Sequence, residues 1–206
     1  MACPLRLETL AGPAAADHVD ALGALRIAVF REYPYLYDGD LAYERRYLRH
    51  YFGSARSVCV LAWEGQALVG ASTGIPLAEA EEAFRAPFRA AGFALEEVFY
   101  FGESILLPAH RGRGCGHAFF AAREAWAQRE GPFRWTAFCA IERPADDPRR
   151  PAGHRPLDGF WRQRGYLPRP DLKARLAWKP VGGEEEVEHT LGFWLRDGSV
   201  PQASRR

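Results

Sequence analysis

The sequence predicts an α/β (α+β) domain in which helices flank one β-sheet, and three segments carry the prediction. Two apolar runs at residues 57–64 and 66–76 meet at Glu64-Gly65, which is a hairpin signal. Residues 98–107 are apolar and rich in aromatic and β-branched side chains, as in a strand covered on both faces. A glycine-rich turn and a strongly patterned helix follow, and Gly131-Pro132 ends that helix.

The other elements give the order β-α-α-β-β-(α)-β-α-β-α-β-β. We expect a break near Pro87 in the inserted helix. No repeat or linker divides the chain, so we predict a single domain over residues 1–196 and a loose tail over 197–206. The predicted strands lie at 5–10, 133–141, 173–178 and 188–195, and the predicted helices at 14–30, 41–52, 78–91 and 157–164.

Composition excludes several classes of function. A net charge of +1 over 206 residues gives no support to nucleic-acid binding. No apolar stretch approaches the roughly 20 residues that span a bilayer, and the N-terminus has no signal-peptide pattern. We therefore expect no membrane partner and a cytoplasmic location. The four cysteines, Cys3, Cys59, Cys115 and Cys139, are widely spaced, which predicts free thiols in a reducing compartment and no metal site.

Residues 106–117, Leu-Leu-Pro-Ala-His-Arg-Gly-Arg-Gly-Cys-Gly-His, predict a phosphate-binding turn. Gly112, Gly114 and Gly116 lack a Cβ, so the backbone can adopt positive φ and direct several N–H groups to one point. The helix that begins there leaves its first N–H groups unpaired and favours an anion. Arg111 and Arg113 add positive charge beside it.

The helix after this turn is predicted to be amphipathic. Its apolar stripe contains Phe119, Ala122 and Trp126, and the opposite side, with Arg123 and Glu124, is expected to face solvent.

Two common nucleotide-binding loops do not fit the spacing. The dinucleotide fingerprint needs a third glycine where His117 lies, and no Gly-Lys-Ser/Thr sequence of a P-loop occurs. The segment resembles the acetyl-CoA loop of the GNAT superfamily of N-acetyltransferases, whose pattern is Arg/Gln-x-x-Gly-x-Gly/Ala. Arg111, Gly114 and Gly116 match that pattern, with Pro108 in its usual place before it.

The resemblance implies a mixed, mostly antiparallel sheet of about seven strands, splayed beside the strand that feeds the loop, and acetyl-CoA as cofactor. Residues 154–166 resemble a second GNAT motif in spacing, with His154 in place of an asparagine and Trp161 in place of a tyrosine that protonates the leaving thiolate. An indole gives up no proton at a useful pKa, which leaves Tyr100, His154 or water for that role. The residues expected to bind cofactor are Leu106, Leu107, Arg111, Gly112, Arg113, Gly114, Cys115, Gly116, His117, His154 and Trp161.

Glu103 is a single carboxylate inside the apolar strand 98–107. A buried carboxylate is costly unless it has a task or a partner, so Glu103 is either the general base or part of a structural ion pair. The family places bases on this strand at more than one register, so Tyr100 and Ser104 remain alternatives. The resemblance also implies that a backbone N–H of this strand, at Leu106, donates to the acyl oxygen.

Two acidic segments are expected to line the acceptor site. One is the loop that contains Tyr33, Tyr35, Tyr37 and Asp38, and the other is the turn at residues 184–186, which are all glutamates. Acidic and aromatic groups attract and stack cationic amines, although solvated loop charge is the alternative.

The sequence thus predicts an acetyl-CoA-dependent N-acetyltransferase that acts on a small-molecule or peptide amine by direct transfer in a ternary complex. The alternatives are a non-catalytic acyl-CoA-binding or regulatory module, and a nucleotide-binding protein. A homodimer is one expectation for the assembly.

Overall fold

The computed structural model describes residues 3–198. Its strands are β1 (Arg6–Ala11), β2 (Val58–Glu64), β3 (Ala67–Pro76), β4 (Val98–Leu106), β5 (Trp135–Ile141), β6 (Leu167–Trp178) and β7 (Val187–Asp197). They form one sheet in the order β1-β2-β3-β4-β5-β7-β6. Each neighbouring pair is antiparallel except β4 and β5, which are parallel. The predicted mixed, mostly antiparallel sheet is confirmed.

The helices are α1 (Val19–Phe30), α2 (Leu41–Gly53), α3 (Glu82–Ala90), α4 (Cys115–Glu130) and α5 (Asp158–Gln163). Four short 3-10 helices are also present among the described residues. They lie at Gly12–His18 before α1, at Leu77–Glu79 before α3, at Leu95–Glu97 before β4 and at Pro108–His110 before α4. The predicted helix at 14–30 is therefore divided in two. Asp40 caps α2 by accepting a hydrogen bond from the Tyr43 amide at 2.8 Å, which explains why the helix begins there.

The two faces of the sheet carry different helices and separate cores. On one face, α1, α2 and α3 bury Leu22, Leu48 and Phe88 against Tyr100 of β4 and Phe193 of β7. On the other face, α4 and α5 cover a second cluster that includes Phe99, Phe101, Phe119, Phe138 and Trp161. The central strands are covered on both sides, as their apolar composition predicts.

The strand β6 starts six residues before its predicted first residue, at Leu167 instead of 173. It contains Pro168 and Pro170, which lack a backbone N–H. Because β6 is an edge strand, a residue without an N–H is tolerated there. The register also shifts between Arg169 and Lys173. The strand β7 extends to Asp197, and residues 199–206 of the predicted tail lie outside the described residues.

A disulfide joins Cys3 to Cys115, the first residue of α4. The expectation of four free thiols is wrong for this pair, because two cysteines that are 112 residues apart in sequence meet in space. Cys59 and Cys139 are free and buried. The disulfide ties the segment that leads into β1 to the helix that follows the glycine-rich turn.

Reduction of the Cys3–Cys115 bond should destabilise the fold, because it releases a long loop in the unfolded chain. We expect the free energy of unfolding to fall by roughly 2–5 kcal/mol in urea titrations with reductant. Cys3→Ser should show the same loss without reductant and no further loss with it. An unfolding curve of the unsubstituted protein that is the same with and without reductant would contradict the disulfide.

Candidate active site

The strands β4 and β5 pair only at their first three residues, Val98–Tyr100 opposite Trp135–Ala137. Beyond Tyr100, β4 remains paired with β3 and β5 remains paired with β7. The two parallel strands therefore diverge, and one edge of β4 is open. Ser104 lies in this stretch and is exposed although it belongs to a central strand. The predicted splay of the sheet is present at this point.

A β-bulge interrupts β4 where the strands begin to diverge. Between two registered pairs, β3 advances by two residues, from Ser72 to Gly74, while β4 advances by three, from Ser104 to Phe101. A bulge bends its strand and redirects a side chain, and such irregularities are frequent beside active sites. The extra residue falls at positions 102–103, so the bulge determines where Glu103 points.

Arg123 reaches the bulge from the α4 face. Its Nη1 donates to the carbonyl oxygens of Glu103 at 3.1 Å and Thr73 at 3.3 Å, and its Nη2 donates to Ser104 Oγ at 2.8 Å. The residue is only 2% exposed. Burial lowers the pKa of Arg123 to about 10, which leaves it charged at neutral pH. Its predicted place on the solvent side of α4 is wrong, because the guanidinium binds these polar groups beneath the sheet.

Glu124 was also expected to face solvent, and it too is buried. Its carboxylate forms ion pairs with Arg164 at 2.7 Å and with Arg196 at 2.8 Å. These pairs join α4 to the end of α5 and to β7, so the face of α4 that was expected to be exposed instead fixes the C-terminal part of the sheet.

The Glu103 side chain lies on the opposite face, toward α1 and α2. Its Oε2 is 2.6 Å from Arg26 Nη1, and Arg26 Nε also binds Oε2 of Glu44. All three residues are less than 9% exposed. We call Glu103, Arg26 and Glu44 the Arg26 cluster. Two buried carboxyl groups thus share one guanidinium.

The Arg26 cluster decides between the two predicted roles of Glu103 only in part. The ion pair with Arg26 shows the structural partner that a buried carboxylate requires. However, the second oxygen of Glu103, Oε1, is buried and accepts no hydrogen bond from the described residues, and the same is true of Glu44 Oε1. One oxygen of Glu103 is therefore held in place while the other remains available as an acceptor.

The two alternative catalytic residues have other partners. Tyr100 is 1% exposed, its ring stacks on Phe84, and its hydroxyl lies 3.1 Å from Cys139 Sγ. Burial raises the pKa of Tyr100 well above its usual range and that of Cys139 to about 12, so both are neutral at physiological pH. Ser104 Oγ contacts Ser72 and Arg123. Neither residue has the unpaired acceptor that Glu103 offers.

The predicted phosphate-binding turn has the backbone that such a site requires. Gly112 and Gly114 have φ of 73° and 84°, in the left-handed region that favours glycine. Gly116 differs from the expectation, because it lies inside α4 and its φ is not positive. No side chain caps the start of α4. The His117 N–H already donates to the Gly114 carbonyl at 3.1 Å, which leaves the preceding N–H groups, those of Cys115 and Gly116, for an anion.

The two arginines of the turn have different roles. Arg111 donates from Nε to the Leu106 carbonyl and from Nη1 to Glu32 Oε2, both at 2.8 Å. Its charge is thus compensated, and it fastens the turn to the segment after α1. Arg113 is exposed and forms no ion pair or hydrogen bond within residues 3–198, so its charge is available to a ligand.

Leu106 presents its backbone to the open edge of β4. The next residue, Leu107, donates its N–H to the Val69 carbonyl of β3 at 2.9 Å. Successive N–H groups of an extended strand point to opposite edges, so the Leu106 N–H faces away from β3 and into the opening. This is the direction that the predicted oxyanion donor requires.

The three predicted cofactor residues with large rings, His117, Trp161 and His154, have different neighbours. On the α4 face, the ring of His117 packs edge-on against Phe160 at 4.8 Å, and Trp161 packs against Phe138 and Trp194. His154 instead contacts Tyr33, with ring centroids 4.8 Å apart. Burial and the nearby Arg150 lower the pKa of His154, so it is neutral at pH 7.

The predicted acceptor loop, residues 33–38, packs against the β6–β7 hairpin. Tyr37 forms an isolated β-bridge with Pro180, and Tyr35 packs against Trp178. Asp38 is paired with Arg31 at 2.8 Å and Lys179 at 3.0 Å, so its charge is already compensated. The three glutamates at 184–186 are exposed. The acidic attraction expected of this loop is therefore weaker than its sequence implies.

Sequence reasoning missed Arg26, Glu44 and Arg123. Arg26 had a visible signal, since it stands within the apolar segment Leu22–Phe30, where a single charge requires a partner. Glu44 and Arg123 have charged neighbours in the sequence and look like ordinary exposed helix residues.

Comparisons with known proteins agree with this architecture. No protein-family model matches the chain, and no curated protein sequence does. Among solved structures, an acetyltransferase of the GNAT family from Streptococcus pneumoniae aligns with a TM-score of 0.55 and 10% identity, covering 93% of this chain and 99% of that chain. The chain has the GNAT fold.

Two other solved structures of acetyltransferases extend the comparison. The ribosomal-protein-alanine N-acetyltransferase of Brucella melitensis gives a TM-score of 0.57 and 14% identity over 92% of this chain and 99% of that chain. The structure of Salmonella typhimurium yncA, solved with its cofactor acetyl-CoA, gives a TM-score of 0.54 and 14% identity over 97% of this chain and 98% of that chain. At these identities the likeness concerns the fold, and the resemblance found in the sequence is confirmed at that level.

Residues 3–198 contain no group of three or more His, Cys, Asp or Glu residues that could hold a metal ion. None of the helices in the same range has both the length and the apolar character needed to cross a membrane.

Replacement of Arg26 by methionine should strongly destabilise the protein, because two buried carboxylates would lose their shared cation. We expect a loss of about 3–5 kcal/mol in the free energy of unfolding at neutral pH, measured by urea denaturation. Arg45→Met is the matched control, since Arg45 joins the same two helices through an exposed pair with Asp20 and should change stability little. Equal losses in the two variants would contradict the Arg26 cluster.

Proposed function

We propose that this protein is an acetyl-CoA-dependent N-acetyltransferase that acts on a primary amine by direct transfer in a ternary complex. The observation that carries the proposal is the open edge of β4. It lies between a phosphate-binding turn that follows the strand and a buried carboxylate that projects from it. The GNAT fold supports acyl transfer in general, and the residues around this edge support the more specific reaction.

The site fits acetyl-CoA at two points of this chain. The positive φ of Gly112 and Gly114, the uncapped start of α4 and the unpaired Arg113 suit the diphosphate. The outward N–H of Leu106 suits an acyl oxygen. Leu107, Cys115, His117 and Trp161 complete the proposed cofactor surface, whereas Arg111 contributes by holding the turn. Bound acetyl-CoA would supply the acetyl thioester.

Glu103 would act on the acceptor. An amine must lose a proton before it can attack, and the unpaired Oε1 of Glu103 is the acceptor that this side of the β4 edge offers, directly or through one water. Arg26 fixes Oε2 of the same carboxylate, so the geometry of the base is set before the amine binds. Thus the acceptor would approach from the α1 and α2 face, and the cofactor diphosphate from the α4 face.

The cofactor assignment is tested by Gly112→Glu with Gly92→Glu as control. Both glycines have positive φ, 73° and 79°, and at both an added Cβ would meet nothing within 4 Å, so the backbone strain is matched. Only Gly112→Glu places a negative charge at the proposed diphosphate site. We expect its affinity for coenzyme A to fall about tenfold or more by isothermal titration, with Gly92→Glu unaffected. An equal loss of affinity for coenzyme A in both variants would contradict the assignment of the turn to the diphosphate.

The base is tested by Glu103→Gln with Glu44→Gln as control. We expect thiol release from acetyl-CoA, screened over a panel of primary amines, to slow about 100-fold or more in kcat in Glu103→Gln. Glu44→Gln removes a carboxylate from the same buried cluster but leaves Glu103 paired with Arg26, and it should retain most activity. Turnover that is unchanged in Glu103→Gln would remove Glu103 as the base.

The alternative is a non-catalytic acyl-CoA-binding module, and Trp161 is the feature that favours it. Trp161 stands where many GNAT members carry a proton-donating tyrosine, and its contacts with Phe138 and Trp194 are those of a packed ring. In that case coenzyme A would bind while no amine of the panel releases thiol.

A further inference from the structure

A second feature of the acceptor side is a pocket of about 640 Å³ at the end of β5 and the start of the β6–β7 hairpin. Arg143 and Arg149 contribute its positive charge and His189 adds an imidazole, and we call it the Arg143 pocket. Glu142 and Glu188 also line it.

The acidic residues of the Arg143 pocket are already neutralised. Glu142 is paired with Lys173, and Glu188 is paired with Arg175 at 2.7 Å. These carboxylates are therefore not available as the main attraction for a cation.

The positive groups are not fully neutralised. Arg149 is paired with Asp147 at 2.8 Å, but Arg143 forms no ion pair within residues 3–198. His189 is 8% exposed, and its Nε2 is buried without a hydrogen-bond partner among those residues. A buried polar atom without a partner is costly, so the pocket has both an excess positive charge and an unsatisfied polar group.

The pKa shifts of Arg143 and His189 also indicate that the pocket favours an anion. Burial lowers the pKa of Arg143, and the neighbouring Arg149 lowers it further. Burial, followed by Arg143 and Arg149, also lowers the pKa of His189. Burial and the neighbouring arginines therefore disfavour the charged forms of Arg143 and His189, and an anion beside them would relieve that repulsion.

The Arg143 pocket is connected to the candidate active site through Tyr35. Arg143 donates to the carbonyl oxygens of Pro34 at 2.8 Å and Tyr35 at 3.0 Å. Trp178 donates to the same Tyr35 carbonyl, and its indole stacks on His189 with centroids 3.9 Å apart. On the other side, the Tyr35 ring packs against Phe30 with centroids 4.7 Å apart, and the Arg26 guanidinium lies 5.0 Å from the centroid of the Phe30 ring, so Tyr35 is linked to the Arg26 cluster.

We propose that the Arg143 pocket binds a carboxylate carried by the acceptor, so that the substrate is a small amine that also bears a carboxylate group. The proposal rests on the proposed N-acetyltransferase function. The planar guanidinium of Arg143 suits a carboxylate, and the amine of the same molecule would lie toward Glu103 on the other side of Tyr35.

The first arm of the test measures binding without turnover. The protein with coenzyme A is titrated calorimetrically with N-acetylglycine, N-acetyl-β-alanine, 4-acetamidobutanoate and 6-acetamidohexanoate, each compared with its primary amide. These ligands vary the distance between the acetylated nitrogen and the carboxylate. We expect at least one acid to bind about tenfold or more tightly than its amide. Equal binding of acids and amides, or no binding of any of them, would overturn the proposal.

The second arm repeats the titration of the best acid and its amide with variants. His189→Asn and Arg143→Lys should each lower the acid-to-amide affinity ratio about threefold or more, because each alters the carboxylate contacts. A change in the Tyr35 segment alone would weaken both ligands and leave the ratio intact. Arg169→Gln removes a charge of β6 that pairs with Asp171 outside the pocket, and it should leave the ratio unchanged. A ratio that neither pocket variant alters would also overturn the proposal.

The third arm separates this proposal from the proposed function. Thiol release is measured with the free amino acids and with their amides. Turnover that is as fast with the amides overturns the carboxylate pocket and leaves the acetyltransferase intact. Acid-selective binding that the variants abolish, without thiol release for any amine, supports the pocket and rejects the acetyltransferase.

Discussion

The position of Glu103 at the candidate site depends on its ion pair with Arg26. Arg26 comes from α1, binds Glu44 of α2 and Glu103 of β4, and so joins two helices to the strand at its bulge. Buried ion pairs are poor devices for stability, since apolar residues of similar volume often serve as well or better. A cluster with one cation and two carboxylates is a still poorer one. We interpret it as a device that positions Glu103 at the open edge of the sheet.

The bulge in β4 is held from both faces by buried arginines with different tasks. Arg123, from α4, binds the main-chain carbonyl of Glu103, whereas Arg26, from α1, binds its side chain. Gly102 makes the arrangement possible, since a Cβ there would lie 2.4 Å from the Tyr51 hydroxyl and 2.7 Å from Thr73 Oγ1. Backbone and side chain of the proposed base are thus fixed independently, and a change in either arginine should displace it.

The sequence predicts the local parts of this structure well and the long-range parts poorly. The segment from β4 to α4 was predicted closely, because apolar runs, glycines and a helix stop are neighbours in the chain. The burial of Arg123 and the Cys3–Cys115 bond could not be predicted in this way, since they depend on segments distant in sequence. The early start of β6 was also missed, because its two prolines are tolerated only at the edge of the sheet, and the local sequence does not show where a strand lies in the sheet.

The segment from Glu32 to Asp38 connects the two ends of the proposed site. At one end Glu32 pairs with Arg111 of the glycine-rich turn, and at the other Asp38 pairs with Lys179 at the β6–β7 hairpin. Between them, the Tyr35 carbonyl is bound by Arg143 and Trp178. One short segment therefore contacts both the turn and the Arg143 pocket, so the proposed cofactor and acceptor regions are positioned by the same stretch of chain. A shared support of this kind suits the proposed ternary complex, in which both ligands have to be held at the same time.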